Sequence, residues 1–252
     1  MYLLEIPEIT MPEEIHLSPQ ELTGRSRAHI VALTDPPCSL HRAVVVPFGR
    51  LRRAAAAAGI DLVPVSTFRD FERQLAIWNG KYRGERALHA ADGSLLETQA
   101  LDADARVAAI LHWSALPGAS RHHWGTDMDV IDAGAVLPGY RPQLVTGEYA
   151  PGGVFARLGA WLAAHAAEHG FYQPYATWRG GFQPEPWHLS YAPVAQAAQA
   201  AVSVDLLRAA LATAGIEGRE AIERALPEIL ARYVRNVDAP PAAALTSATR
   251  PS

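Results

Sequence analysis

The stretch SRHHWGTDMDV, residues 120–130, packs two histidines, a glycine and two aspartates into eleven positions. Imidazoles and carboxylates at this density suit a metal, and a catalytic zinc site takes three protein ligands from such residues, leaving a fourth position open to water. His122 and Asp129 supply two of the three if the chain reverses between them, and Gly125 tolerates backbone angles that other residues resist. The third must come from elsewhere. EPWHL, residues 185–189, offers His188. In a regular strand an odd spacing would send Glu185 and His188 to opposite faces. Pro186 instead holds Glu185 in extended backbone on the loop ahead of the strand, where a carboxylate can face a metal without binding it and deprotonate a metal-bound water. Taken singly, each of these side chains reads as a hydrogen-bonded turn residue. It is the combined spacing that points to a metal.

These segments resemble the VanY-type zinc D-alanyl-D-alanine carboxypeptidases of the hedgehog/D-Ala-D-Ala peptidase fold, whose signature is S-x-H-x-x-G-x-x-x-D followed by E-x-x-H. Ser120, His122, Gly125 and Asp129 fall on the first part, and Glu185 and His188 on the second. Upstream, STFRDFERQ matches the family's S-G-Y-R-S-x-x-x-Q at Arg69 and Gln74. The resemblance covers roughly residues 40–195. It implies that His122, Asp129 and His188 hold Zn2+, that Glu185 is the general base, and that Arg69 grips the substrate's terminal carboxylate, helped by Gln74 and Ser120. A guanidinium suits that task because it pairs a carboxylate through two parallel hydrogen bonds and stays charged. The implied substrate is a peptidoglycan stem peptide or precursor ending in D-alanine. The same scaffold also supports L,D-carboxypeptidases, D-Ala-D-Ala dipeptidases, cell-wall endopeptidases and, among hedgehog-type relatives, a zinc-containing binding module without catalysis. The presence of both Glu185 and Arg69 argues against the last.

The chain departs from the family at two positions. Asp127 stands where a small residue is usual, on the same strand face as Asp129, placed either to orient a neighbouring ligand or to compete for metal. Phe68 replaces a tyrosine and removes a hydroxyl near the anchor. Several residues have simpler readings. Arg69 could pair with Asp70 or Glu72. His123 falls on a wildcard position and reads as a packing residue or one that supports a neighbouring ligand, Trp124 and Trp187 as core aromatics that also shield the metal, and His165 and His169 as a partly solvated helix face. His112 and Cys38 read as structural.

The elements that must position these residues are legible in outline. Residues 1–37, punctuated by proline, read as an N-terminal arm, extended and packed on the domain. In RAVVVPFGRLRRAAAAAGI an apolar strand-like run ends at Pro47, and a helix then runs from Leu51 to Ala58, with Gly59 as its stop. DLVPVSTFRD reads as a buried strand and FERQLAIWNGKY as a helix. After a loop, DADARVAAILHW is helical, Thr126–Ile131 forms a strand with Met128 and Val130 opposite the aspartates, and GVFARLGAWLAAHAAEHG is an amphipathic helix ended by Gly170. Residues 38–195 thus form the zinc peptidase domain. Residues 196–237 form a helical appendage broken at Gly215 and Gly218, and residues 238–252, with few large apolar side chains, form a tail expected to be disordered. The fold class is α+β: a small, mainly antiparallel sheet flanked by helices, holding the zinc site, with the helical appendage at the C-terminal end.

Composition narrows the partners. The formal net charge of −4 over 252 residues lacks the basic footprint nucleic acid requires. Cys38 is the only cysteine, which excludes an intrachain disulfide and a cysteine-based zinc knuckle. No stretch is apolar enough over a sufficient length to span a bilayer, and MYLLEIPEITMPEEIHL lacks a signal-peptide pattern. As written, the sequence reads as cytoplasmic. The family resemblance implies the cell envelope or periplasm.

Overall fold

The computed structural model describes residues 16–246. In chain order the elements are α1 (Pro19–Leu22), β1 (Ile30–Thr34), β2 (Pro37–His41), α2 (Val45–Ala57), β3 (Leu62–Ser66), α3 (Phe71–Tyr82) and α4 (Ala103–Leu111). There follow β4 (Asp127–Asp132), α5 (Thr146–Tyr149), α6 (Ala156–His165), β5 (Phe171–Tyr172), β6 (His188–Tyr191), α7 (Ala192–Ala201), α8 (Val204–Leu211), α9 (Arg219–Ile229) and α10 (Ala242–Thr246). Strands β1 and β2 form a hairpin, and the other four form an antiparallel sheet in the order β3-β4-β6-β5. The result is the α+β arrangement of small antiparallel sheets and flanking helices that the sequence pattern predicts.

Period-two alternation along β4 divides the molecule. Met128 and Val130 enter a core with Leu62 and Leu189, Phe48 and Leu51 of α2, and Leu158 and Leu162 of α6. Each such fully buried side chain stabilises the fold by about 1.5–3 kcal/mol. Asp127 and Asp129 point to the other face. The register sets Asp129 beside His188 of β6 on one side and Ser66 of β3 on the other, with a bulge between Pro64 and Ser66.

A second core joins α3 and α4 to the C-terminal helices, with Trp78, Ile110, Leu207, Ile222 and Leu226 all buried. Trp78 Nε1 donates to the Glu217 carbonyl at 3.1 Å and Asn79 Nδ2 to that of Gly215 at 2.8 Å. The glycine-flanked break between helices is therefore where α3 is tied to the C-terminal helices.

Three local expectations are corrected. The apolar run before Pro47 is helical, because Val44, Phe48, Leu51 and Ala55 are buried at helical spacing while Val46 is exposed. Pro47 sits in the first turn of α2, where its missing N–H has no intrahelical partner to lose. The described part of the N-terminal arm is not merely extended: it holds α1, capped by Ser18, and the β1–β2 hairpin. Residues 1–15 of that arm lie outside the described residues. In the tail expected to be disordered, α10 buries Ala244, and residues 247–252 lie outside the described residues.

Candidate active site

The loop Arg121–Trp124 is a 3-10 turn that ends at Gly125 in the left-handed region, φ 66°. A Cβ on Gly125 would stand 2.7 Å from the backbone nitrogen of His41, so both the turn and the approach of β2 require glycine. This reversal brings His122 back over β4. His122, Asp129 and His188 each offer one donor atom, and the three atoms lie within 4.8 Å of one another. The two imidazole centroids are 5.0 Å apart.

Hydrogen bonds select which atoms converge. The Nδ1 of His122 is 2.9 Å from the Thr67 carbonyl, which can only accept, so Nδ1 carries the proton and Nε2 presents a lone pair. Burial pushes the pKa of His122 down to about 3, which keeps the ring neutral. His188 is held in the opposite sense: its Nε2 lies 2.9 Å from Asp127 Oδ2, leaving Nδ1 directed at the centre. Nδ1 of His188 is 3.2 Å from Asp129 Oδ1 and 3.1 Å from Glu185 Oε2. Both Nδ1 of His188 and Oδ1 of Asp129 are buried without a hydrogen-bond partner. Unpaired acceptors crowded into a buried site are costly unless a cation or proton joins them. Burial disfavours charge on His188, while Asp127, Asp129 and Glu185 act against burial and raise its pKa well above the usual imidazole value. The convergent donors fit a divalent ion.

Asp127 belongs to a buried network. Its carboxylate accepts from Arg121 Nε at 2.7 Å, from Thr126 Oγ1 at 2.6 Å and from Ser190 Oγ at 2.9 Å. Burial opposes its ionisation, but Arg121 and His188 hold its pKa well below the usual range. Arg121 also donates to Ser190, Tyr172 and, in α7, Gln199. With both oxygens committed in this way, Asp127 orients His188 and is not among the convergent donors.

The anchor end is stitched to this site through backbone. Arg69 N donates to the His122 carbonyl at 3.1 Å, and His123 Nδ1 lies 2.6 Å from the Arg69 carbonyl. His123 Nε2 accepts from Gly118 N–H at 3.1 Å. His123 is thus a tether between the two loops and not among the convergent donors. Arg69 Nη1 donates to Gln74 Oε1 at 2.7 Å and Nη2 to Ser66 Oγ at 3.1 Å, while Gln74 Nε2 donates to the Ala115 carbonyl at 2.7 Å. Arg69 makes no ion pair with Asp70, which caps α3, or with Glu72, which pairs with Arg25.

One pocket contains Arg69, Ser120, His122, Asp129, Glu185 and His188. Gln74 stands behind Arg69, fully buried, and does not line it. Glu185 sits on the loop ahead of β6, and burial raises its pKa, with His188 acting the other way. Phe68 turns away toward the hairpin, edge-on to His29 at 5.8 Å, so the missing tyrosine hydroxyl does not concern the pocket. Trp187 lines the pocket, whereas Trp124 is a core residue that donates to the Leu22 carbonyl. His165 lies on an exposed face beside Glu168. Arg121, Tyr175 and Ser114 also line the pocket and escape the sequence reading. Arg121 occupies a wildcard of the signature, and Tyr175 and Ser114 lie outside every motif.

A family model described as D-alanyl-D-alanine carboxypeptidase, VanY, matches residues 37–194. The chain belongs to the VanY family. Two uncharacterised proteins of Haemophilus influenzae (strain ATCC 51907 / DSM 11121 / KW20 / Rd) are similar to it. One is 46% identical over 103 residues, covering 40% of this chain and 70% of the relative. The other is 33% identical over 121 residues, covering 47% of this chain and 92% of the relative. Among solved structures, VanYB in complex with D-alanine-D-alanine is similar at 21% identity with a TM-score of 0.47, covering 77% of this chain and 87% of that one. The matched VanY span contains every motif residue from Arg69 to His188 and leaves α8 to α10 outside it. No helix among the described residues is long and apolar enough to cross a membrane.

Proposed function

We propose that this VanY-family chain is a zinc-dependent carboxypeptidase that removes the C-terminal D-alanine from peptidoglycan stem peptides or their precursors. One observation carries the reading: the unpartnered Nδ1 of His188 and Oδ1 of Asp129 converge with Nε2 of His122 in a pocket that also holds Glu185 and Arg69. His122, Asp129 and His188 would hold the ion. When bound, zinc supplies Lewis-acid polarisation of the scissile carbonyl and lowers the pKa of water toward about 7.

The chain's own residues do the rest. Arg69 pairs with the substrate carboxylate, and Gln74 and Ser66 fix the guanidinium so that little orientation is lost on binding. Ser120, buried in the pocket wall, stands as a further polar contact. Glu185 takes the proton of the attacking water as the new C–O bond forms and returns it to the leaving amine as the C–N bond breaks. Its raised pKa helps it hold the proton between those steps. Asp127 keeps the proton of His188 on Nε2 and so leaves Nδ1 for the metal.

Metal analysis of the purified protein, combined with amine release from a D-Ala-ended pentapeptide, tests the reading. Stoichiometric zinc and release of D-alanine from the free acid are expected. Equal cleavage of the C-terminal amide identifies an endopeptidase, release of D-Ala-D-Ala a dipeptidase, and cleavage only after an L-residue an L,D-carboxypeptidase. Zinc without hydrolysis identifies a binding module.

A further inference from the structure

On α3, Gln74 and Lys81 are seven residues apart and share a face. Gln74 reaches the Ala115 carbonyl, and Lys81 Nζ lies 2.7 Å from Ser114 Oγ. One helix face therefore holds two consecutive residues of the pocket wall, in which Trp113, Ser114 and Ala115 all take part. Lys81 is the only lysine in the chain. It is half-buried, and among the described residues the one hydrogen-bond partner of its ammonium is the neutral hydroxyl of Ser114.

An ammonium can only donate. Ser114 Oγ is therefore the acceptor, and its own proton is left to be given away. The Ser114 hydroxyl donates to nothing among the described residues, and Ser114 lines the pocket. Arg69 is in the same condition: its guanidinium bonds the neutral oxygens of Gln74 and Ser66 and, among the described residues, has no carboxylate in ion-pair contact. Gln74 bridges the two, touching Arg69 with one atom and the neighbour of Ser114 with the other. Two cations with neutral partners, Arg69 lining the pocket and Lys81 behind the Ser114 wall, are stabilised by an anion brought in from outside.

We propose that Ser114, presented by Lys81, is a second group that reads the terminal carboxylate of the substrate beside Arg69, and that the pair makes the enzyme select free-acid peptide ends. Ser114 contacts the carboxylate and Lys81 is its positioning residue. The inference rests on the carboxypeptidase reading above.

The test uses the full zinc-loaded chain and two pentapeptides, one ending in D-Ala as the free acid and one in its amide. A hydrogen bond to a charged group corresponds to about 10–100-fold in affinity. Lys81→Met and Ser114→Ala should each raise KM for the free acid by that factor with kcat nearly constant, and bring the free acid and amide closer together. Lys81→Arg should recover part of the preference. Unchanged KM in folded, zinc-replete variants, or equal loss on both peptides, overturns the proposal. Equilibrium binding of both peptides to the Glu185→Gln protein separates the two claims. If the wild type hydrolyses neither peptide, the carboxypeptidase reading fails. A free-acid preference in binding that depends on Lys81 still upholds the pair, and a binding preference indifferent to Lys81, or no preference at all, sinks it.

Discussion

The two ends of the pocket are built from opposite deficits. At one end, two imidazoles, Asp129 and Glu185 direct acceptors at a common point, with two buried atoms left unpartnered. At the other, Arg69 in the pocket and Lys81 behind its Ser114 wall bond, among the described residues, neutral side-chain oxygens only. On the proposed reading, the zinc completes the first end and the substrate carboxylate the second. A polarised pocket of this kind orients a ligand that is anionic at its terminus and carries a polarisable carbonyl one residue inward. The difference also teaches how each end is made rigid: side-chain hydrogen bonds set the tautomers at the cation end, whereas backbone and a helix face set the anion end.

The largest effects should separate these ends outright. His188→Ala removes one convergent donor and should lose both metal and turnover. Glu185→Gln should retain the metal while turnover falls by about 10²–10⁴-fold, the usual range for general acid-base catalysis. Elemental analysis beside a rate assay reads both. Equal metal loss in the two variants would place Glu185 among the ligands and break the proposed division of roles.

At the opposite end, Arg69→Ala should weaken free-acid substrates by about 10²-fold or more, the size of losing a buried, hydrogen-bonded charge pair, with metal content unaffected. Arg69→Lys should not restore the loss, because an ammonium cannot reproduce the paired geometry. Should Arg69→Ala cleave free acid and amide alike at the wild-type rate, the anchor lies elsewhere.

The cation end was largely legible because its residues fall in two short motifs whose spacing is dictated by one turn and one strand register. Gly125 supplies the turn, and the alternation of β4 puts Asp127 and Asp129 on one face. The anion end was legible at Arg69, Gln74 and Ser120 but not at Ser114 or Lys81. Lys81 sits seven residues beyond Gln74 on a helix predicted with the right bounds, yet nothing in its own position says that Ser114, more than thirty residues later, will pack against it. The bonds of His123 were not legible for a related reason: its partners are the backbone groups of Arg69 and Gly118, which have no side-chain signature. The strand-like reading before Pro47 failed because a short run of valines carries no period, and burial of every third or fourth residue emerges only once α2 packs on the sheet.

A subtler test concerns how the cation end is held. Asp127→Ala removes the acceptor that fixes the tautomer of His188, and loss of such a partner lowers metal affinity by about 10–100-fold. It also leaves Arg121 buried without its carboxylate, at a stability cost of about 3–5 kcal/mol. The double variant Asp127→Ala with Arg121→Met relieves the second effect and leaves the first, so chelator competition on the double variant measures orientation alone. Metal affinity equal to wild type there would mean that the sheet register positions His188 without help.

The smallest expected effect lies in β2, which backs both ends at once. Ser39 carbonyl accepts from Phe68 N–H and Ser39 N–H donates to Thr67 Oγ1, while His41 N–H donates to the Gly125 carbonyl. His41 can hold this place only as a neutral ring, since its Nδ1 accepts from Ala43 N–H at 3.0 Å. Burial pushes its pKa down to about 4, assisted by His29 and Arg42 and opposed by Glu21. Between pH 6.5 and 4 the unfolded chain therefore binds a proton at this site that the folded chain refuses, so stability is full above pH 6.5 and falls as the pH drops toward 4. Carboxylates titrate in the same range, and a variant isolates the histidine: His41→Asn keeps an acceptor for Ala43 but cannot titrate. Denaturant unfolding at pH 7 and pH 5 should show the wild type losing about 1–2 kcal/mol more than His41→Asn. Parallel losses would show that the backing strand is indifferent to this proton, and that the two ends of the pocket are held together by the bonds of His122 and His123 to residues 67–69 alone.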